Sequence, residues 1–316
     1  ANKYQIDWKK SPVYQPNLTG VKHFIDFPLE EIRKYIDWTF FFVAWGLKGR
    51  FPQLLSDASQ AKEAKKLYEE ANVLLDEMIE KKMVQANASM GIWPANSNGD
   101  DIILYEGESR KKEAGRFYHL RQQGKKKEGM PNFCLSDFIA PAGSGIHDYC
   151  GGFTVTAGIG IQKWIKKYKE ENNDYKALMI ESLADRLAEA FAELMHLKVR
   201  KEYWGYATNE DLPLEDILKT RYQGIRPASG YPACPEHSAK ENLLNLLRGK
   251  EIGISLSEHF AMYPNATVAG QYFAHPEARY FSLEKISKDQ VEDYAKRKGV
   301  PVEFVEKFLP TKLNYK

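Results

Sequence analysis

The sequence predicts an α+β fold, and three observations carry that expectation. Near the C-terminus, β-branched and aromatic runs follow one another through short Pro, Asn and Gly turns. The middle of the chain holds one long amphipathic helical stretch, and no regular strand–helix alternation of the kind that builds a parallel sheet is present. With 316 residues the chain is long enough for a large core in one or two domains. An apolar fraction of 43% and a charged fraction of 28% are those of an ordinary soluble domain. A net charge of +2 argues against a nucleic-acid binder held by phosphate neutralisation. No apolar run reaches spanning length and no signal-peptide pattern opens the chain, so no membrane partner and a cytoplasmic location are expected. Cys134, Cys150 and Cys234 form no CxxC pair and are odd in number, which points to a reducing compartment. The chain starts at Ala1, as a processed chain or a fragment would.

Residues 1–30 mix polar, aromatic and proline positions without sustained periodicity and are expected to be an N-terminal arm or linker; residues 31–316 form the domain. "PLEEIRKYI" begins a short helix with proline and acids in its first turn. From about 57 to 84, Leu67, Ala71, Leu74, Met78 and Met83 make one apolar face, a helix beginning near Asp57 or Ser59. "GIWPANSNGDDIILYEG" reads as a loop followed by a strand at 102–105. "FYHLRQQ" is a strand or strand end, "CLSDFIAP" is partly apolar, and "GGFTVTAG" is a β-branched strand leading into the helix "IQKWIKKYKEEN". The long helix "DYKALMIESLADRLAEAFAELMH" sets Leu183, Leu187, Phe191 and Leu194 or Met195 on its core stripe, with Ser182, Asp185, Glu189, Glu193 and His196 opposite. Residues 255–264, 267–276 and 278–286 read as three consecutive strands, and helices follow from about 288 and 301.

Chemistry-bearing patterns are few. In "RPASGYPACPEH" (226–237), Pro227, Pro232 and Pro235 leave a stiff, irregular loop, and Gly230 permits positive φ or close approach to the backbone. "FTVTAGIGIQKW" has Lys163 where a dinucleotide turn needs its third glycine, so it reads as a tight strand-to-helix turn. Cys234 and His237 have no second ligand pair, and no metal site is expected. Motifs for a nucleophile with its base, a zinc protease or a phosphate loop are absent, and no catalytic residue is assigned. What remains is a binding vocabulary. A zwitterionic or sulfonium ligand asks for a guanidinium, carboxylates and aromatic faces. Arg226, Gly230 and Tyr231 offer the first and third, while Asp37 and Glu189 offer the second. Asp37 is equally suited to capping the next turn, and Glu189 to a solvated helix face. Tyr280 and Phe281 adjoin on an expected strand, so one of them faces away from the core.

In order along the chain, "YIDWTFFF", "IWPANSNGDDI", "HLRQQ", "SLADRLAEAFAELMH", "VRKEYWGYA", "YQGIRPASGYPACPEH" and "DQVEDYAKRKG" resemble the C-terminal activation domain of cobalamin-dependent methionine synthase. Phe40 stands where the family's DWTPFF has proline, and Ser229 where its loop reads RPAPGY. The resemblance implies a C-shaped α+β domain on a bent antiparallel sheet flanked by helices. It implies that S-adenosylmethionine is bound and its methyl group aimed at a cobalamin held by a separate module of the same enzyme, for reductive remethylation of cob(II)alamin. The electron donor would be flavodoxin or an equivalent flavoprotein. Carried over position by position, Asp37, Glu189, Arg226, Tyr231, Tyr280 and Phe281 are the expected S-adenosylmethionine ligands. Such a domain belongs to a methyltransferase of methionine biosynthesis but would not make methionine alone: neither a DxHxxG cobalamin motif nor a zinc-binding cysteine cluster is present. Two other readings remain open, a free-standing S-adenosylmethionine-dependent methyltransferase and an interaction module docking a flavoprotein through basic segments such as Lys125 to Lys127.

Overall fold

Two long strands carry the molecule. In the computed structural model, which describes residues 2–315, β2 (Gln85–Asn98) runs antiparallel to β5 (Asp148–Ile159), with pairs from Gln85↔Ile159 to Ala95↔Asp148. The far edge of β2 is shared by two shorter strands, β1 (Gly20–Phe24) and β3 (Asp101–Tyr105). Pro94 falls between the stretch of β2 paired by β1 and the stretch paired by β3, so its missing N–H interrupts no ladder there. β4 (Glu113–Tyr118) extends the sheet beyond β3, and β8 (Thr267–Tyr272) lies along β5. All of these pairings are antiparallel, and register shifts interrupt β2 at Gln85/Asn87 and β3 at Leu104/Tyr105. β6 (Ser255–Leu256) and β7 (Met262–Tyr263) form a separate ribbon.

Alternation along the strands separates two cores. Tyr149, Phe153, Val268 and Tyr272 face one, whereas Cys150, Ala269 and Phe273 face the other. The first core is covered by helices: α1 (Leu29–Ile32), α2 (Trp38–Ala44), α3 (Ala61–Glu80), α4 (Ile161–Glu170) and α5 (Asp174–Lys198). α5 lies across β5 and β8 with Leu183, Leu187 and Phe191 buried. α6 (Leu214–Leu218) is a single short turn of helix, and α7 (Ala239–Leu246) packs on the second face. Gly152 makes room there, since a Cβ on it would stand 2.7 Å from Leu243. A third cluster joins α8 (Lys288–Lys298) and α9 (Val302–Phe308) to Leu283 and Ile286.

The α+β architecture with helices flanking an antiparallel sheet is the expected one. Four local expectations are corrected. The arm at 1–30 contributes β1 to the sheet, because His23 and its neighbours pair with β2. "IWPANSN" is the end of the central strand and not a loop: its polar side chains are satisfied by other segments, Asn96 Nδ2 donating to the Ala140 carbonyl at 2.9 Å and Ser97 Oγ to that of Ile139 at 2.8 Å. Residues 278–286 form no strand. Glu193 and His196 are buried on α5, although the apolar stripe alone sets them toward solvent.

Candidate ligand-binding site

The 226–237 loop lies along the open edge of β8. Ile225 and Phe273 exchange two backbone hydrogen bonds at 3.0 Å, Gln271 N–H donates to the Pro227 carbonyl at 3.0 Å, and Ser229 N–H donates to that of Ala269 at 3.1 Å. The last bond needs an N–H, so the serine at 229 gives the loop an anchor that a proline could not. Gly270 is what lets the loop sit so close: a Cβ there would meet the Pro227 oxygen at 2.5 Å and Ala228 Cα at 2.9 Å. At its tip Gly230 has φ +96°, and its N–H donates to the Cys234 carbonyl at 2.7 Å, closing a tight turn.

A second segment is fastened to the loop. Leu283 N–H donates to the Pro232 carbonyl at 2.8 Å, and Tyr280 Oη accepts from Arg226 N–H at 3.0 Å. Leu283 belongs to the core of α8 and α9, which therefore hold the Tyr280–Phe281 segment in place. Between this segment, the loop, α5 and the sheet is a cavity of ≈ 310 Å³. Glu189, Arg226, Tyr231, Tyr280 and Phe281 all line it, with Phe153 and Val268 as its sheet-side wall. Because 280–281 is irregular backbone, both residues line the cavity, which the strand expectation would not allow, and the Phe281 ring also stacks on Phe133 at 5.9 Å. Tyr231 and Tyr280 also keep large exposed areas, 53% and 46%.

Arg226 is fixed from behind. Its Nη2 donates to Glu193 Oε2 at 2.7 Å and its Nη1 to Tyr222 Oη at 2.6 Å. Burial opposes the charge and is the largest single influence, but Glu193, Tyr222, Tyr280 and Glu189 together outweigh it and hold the guanidinium above its ordinary pKa. Tyr231 Oη donates to Glu189 Oε1 at 3.1 Å, and burial followed by that carboxylate pushes the phenol up to about 12. Burial also raises Tyr280, against the lowering influence of Arg226. Deeper still, burial drives His196 well below its usual value, helped by Arg200 and Arg226, so a neutral ring stacks on Tyr272 at 5.1 Å. Glu193, Tyr222 and His196 are thus supporting residues that sequence reasoning missed; Glu193 and His196 are polar positions buried on α5, and Tyr222 lies outside that helix with no such signal.

Asp37 stands apart. It is the N-cap of α2, its Oδ1 accepting from Thr39 N–H at 2.9 Å, and it does not line the cavity. The three cysteines are buried free thiols, and among the described residues no group of three or more His, Cys, Asp or Glu side chains is gathered for a metal. No described helix is long and apolar enough to cross a membrane.

This constellation can hold a cationic ligand between carboxylate and rings, with a guanidinium for an anionic end. The fold matches a crystal structure of the MetH reactivation domain bound to AdoHcy with a TM-score of 0.97 and 44% sequence identity, covering 100% of this chain and 97% of that one. The family model described as the activation domain of vitamin B12-dependent methionine synthase matches residues 28–299. Matched over residues 28–299 by that family model and over its whole length by that structure, the chain belongs to the family of vitamin B12-dependent methionine synthase activation domains.

Proposed function

We propose that this chain binds S-adenosylmethionine in the cavity beside Arg226 and presents its sulfonium methyl group to the cobalamin of a separate module of the parent enzyme. The observation that carries this reading is one carboxylate, Glu189, set among the rings of Tyr231, Tyr280, Phe281 and Phe153 in a single cavity. A sulfonium and an ammonium are both attracted to carboxylates and to ring faces, and adenine stacks on the same rings. Arg226 takes the methionyl carboxylate or nearby polar groups. Glu189 takes the ammonium or the ribose hydroxyls. Asp37 is included on the resemblance alone, since one of its oxygens is already used by the α2 cap.

No general base is needed in this scheme. Cobalamin, when bound, supplies the nucleophile; the residues of this chain orient the methyl group and exclude water around it. The exposed rings of Tyr231 and Tyr280 suit an apolar macrocycle placed over the mouth of the cavity. Flavodoxin or a similar flavoprotein completes the proposal as electron donor. For its docking, Lys125 and Lys127 are the exposed cations of the basic loop, whereas Lys126 is 2.6 Å from Glu284. The location proposed is cytoplasmic, and the isolated chain is not expected to make methionine.

Calorimetric titration of S-adenosylmethionine into the chain, Arg226→Ala and Glu189→Gln tests the reading. Saturable binding by the parent chain and weakening by about tenfold or more in both variants support it. No binding by the folded parent chain, or equal binding by all three, overturns it.

A further inference from the structure

The RPASGYPACPEH loop has a reverse side. There it walls a cleft of ≈ 690 Å³, completed by the turn before β7 and by the end of α9 with the residues that follow it. Five of its fourteen lining residues are lysine or histidine, His237, Lys240, His259, Lys307 and Lys312, and none of the fourteen is Asp or Glu. They come from separate parts of the chain, so the convergence is a product of the fold and not of a local charge run.

Lys240 is the unusual member. Its residue is only 5% exposed, and both hydrogen-bond partners of its Nζ are neutral: His237 Nδ1 at 2.9 Å and the Phe260 carbonyl at 3.3 Å. Glu236, close in sequence, is occupied elsewhere, 2.5 Å from Lys298 Nζ and accepting from Tyr294 Oη at 3.1 Å. An ammonium buried with no carboxylate bonded to it, Glu236 acting on it only through space, is costly until an anion arrives. Burial indeed pushes Lys240 below the ordinary lysine range. Because Lys240 donates to Nδ1 of His237, the ring proton of a neutral His237 stands on Nε2 as a further donor. Lys312 Nζ spends one proton on the Leu283 carbonyl at 2.7 Å and retains others.

We propose that this cleft is a binding site for a phosphate-bearing ligand, held by Lys240 and His237 at its base and by Lys307, Lys312 and His259 around it. Several point-charge donors arriving from different directions suit the many oxygens and multiple charge of phosphate. A lone carboxylate is better served by one planar guanidinium, and no arginine lines the cleft. The volume exceeds that of bare phosphate, and Phe308 supplies an apolar wall for an organic substituent. The cleft lies across the loop from the cavity beside Arg226 and shares Tyr231 and Pro232 with it, but the ligand proposed for that cavity carries no phosphate.

The test is calorimetric titration of inorganic pyrophosphate and, separately, adenosine diphosphate at low ionic strength into the parent chain, Lys240→Gln, Lys312→Gln and Lys125→Gln. Saturable binding weakened by about tenfold in the Lys240 and Lys312 variants, and retained in the Lys125 control, is expected. Equal affinity for the two ligands identifies the phosphates as the recognised part; tighter nucleotide binding adds the Phe308 wall. Since Lys240 is buried, circular dichroism and the thermal midpoint are compared first, and Lys312→Gln, at a less buried position, carries the test if Lys240→Gln unfolds. No saturable binding by the folded parent chain, or binding indifferent to both variants, overturns the site.

Discussion

Arg226 and Glu193 form a buried ion pair, Nη2 to Oε2 at 2.7 Å, with side-chain exposures of 16% and 5%. The arginine thus reaches its cavity already oriented by α5, and its loop cannot shift without separating the charges. Removing one partner of such a pair strands the other in a medium that solvates it poorly. Glu193→Ala is expected to lower unfolding free energy by about 3–5 kcal/mol. Glu193→Gln, which keeps the shape, is expected to lose less stability and still weaken S-adenosylmethionine binding. Urea denaturation and calorimetry on the two variants check this.

Gly270 is the contact point of loop and sheet. A methyl group there would lie 2.5 Å from the Pro227 oxygen and 2.9 Å from Ala228 Cα, both backbone atoms, and 2.9 Å from Phe153 Cε1. None of these is the free end of a flexible chain, so the loop must lift off β8. Gly270→Ala is expected to cost about 1–3 kcal/mol through overpacking and to displace Arg226 and Tyr231 from the cavity. A lowered thermal midpoint together with weakened ligand binding is the expected result, and unchanged binding would count against the close approach.

The long helix, β5, α4 and the stiff loop were legible because their signals are local: a stripe of apolar residues, a β-branched run, a glycine at a strand-to-helix turn and three prolines. β2 was not, for it buries polar side chains whose partners lie far away in sequence. Asn87 Nδ2 donates to the Ile252 carbonyl at 3.0 Å and Ser89 Oγ to that of Leu247 at 2.6 Å. Its apolar positions Ala86, Ala88, Met90 and Ile92 do alternate toward the helical core, but alanine is a weak strand former and the polar residues between them read as a solvated face although they are buried. The cavity residues were named through the resemblance, but their support was hidden. Glu193 belongs to a polar face until Arg226, a distant residue, is brought against it. Tyr280 and Phe281 look like a strand because aromatic content carries no information about the loop that fixes them.

Buried histidines set an acid limit on stability. Burial, with Arg297 adding to it, lowers His119 to about 3, and His196 is also held well below its usual value. A histidine depressed in the folded state takes up its proton only after unfolding. Its contribution is therefore fully present above about pH 6.5 and is lost as pH falls from there toward 3. Asp148, raised to about 6 by burial, acts in the opposite sense, favouring the fold as pH drops below 6. Comparison with His119→Gln cancels Asp148 and isolates one ring. Between pH 7.5 and 5.5 the parent chain is expected to lose about 1.4 kcal/mol more unfolding free energy than the variant, read from urea curves at the two pH values.

Tyr280 holds two roles that substitution can separate. Its hydroxyl accepts the Arg226 N–H at 3.0 Å, while its ring lines the cavity and is 46% exposed. Tyr280→Phe keeps the ring and strands one backbone donor at the start of the loop, for a stability loss of about 1 kcal/mol and a small change in affinity. Tyr280→Ala removes the ring as well, so its loss of S-adenosylmethionine affinity is expected to exceed that of Tyr280→Phe by about tenfold, the contribution of an aromatic face to a cation or a stacked base. Calorimetry on both variants decides between the roles. Equal affinities would make Tyr280 a loop clamp only, and would move the ligand's aromatic partner to Phe281 or Tyr231, the other rings of the same cavity.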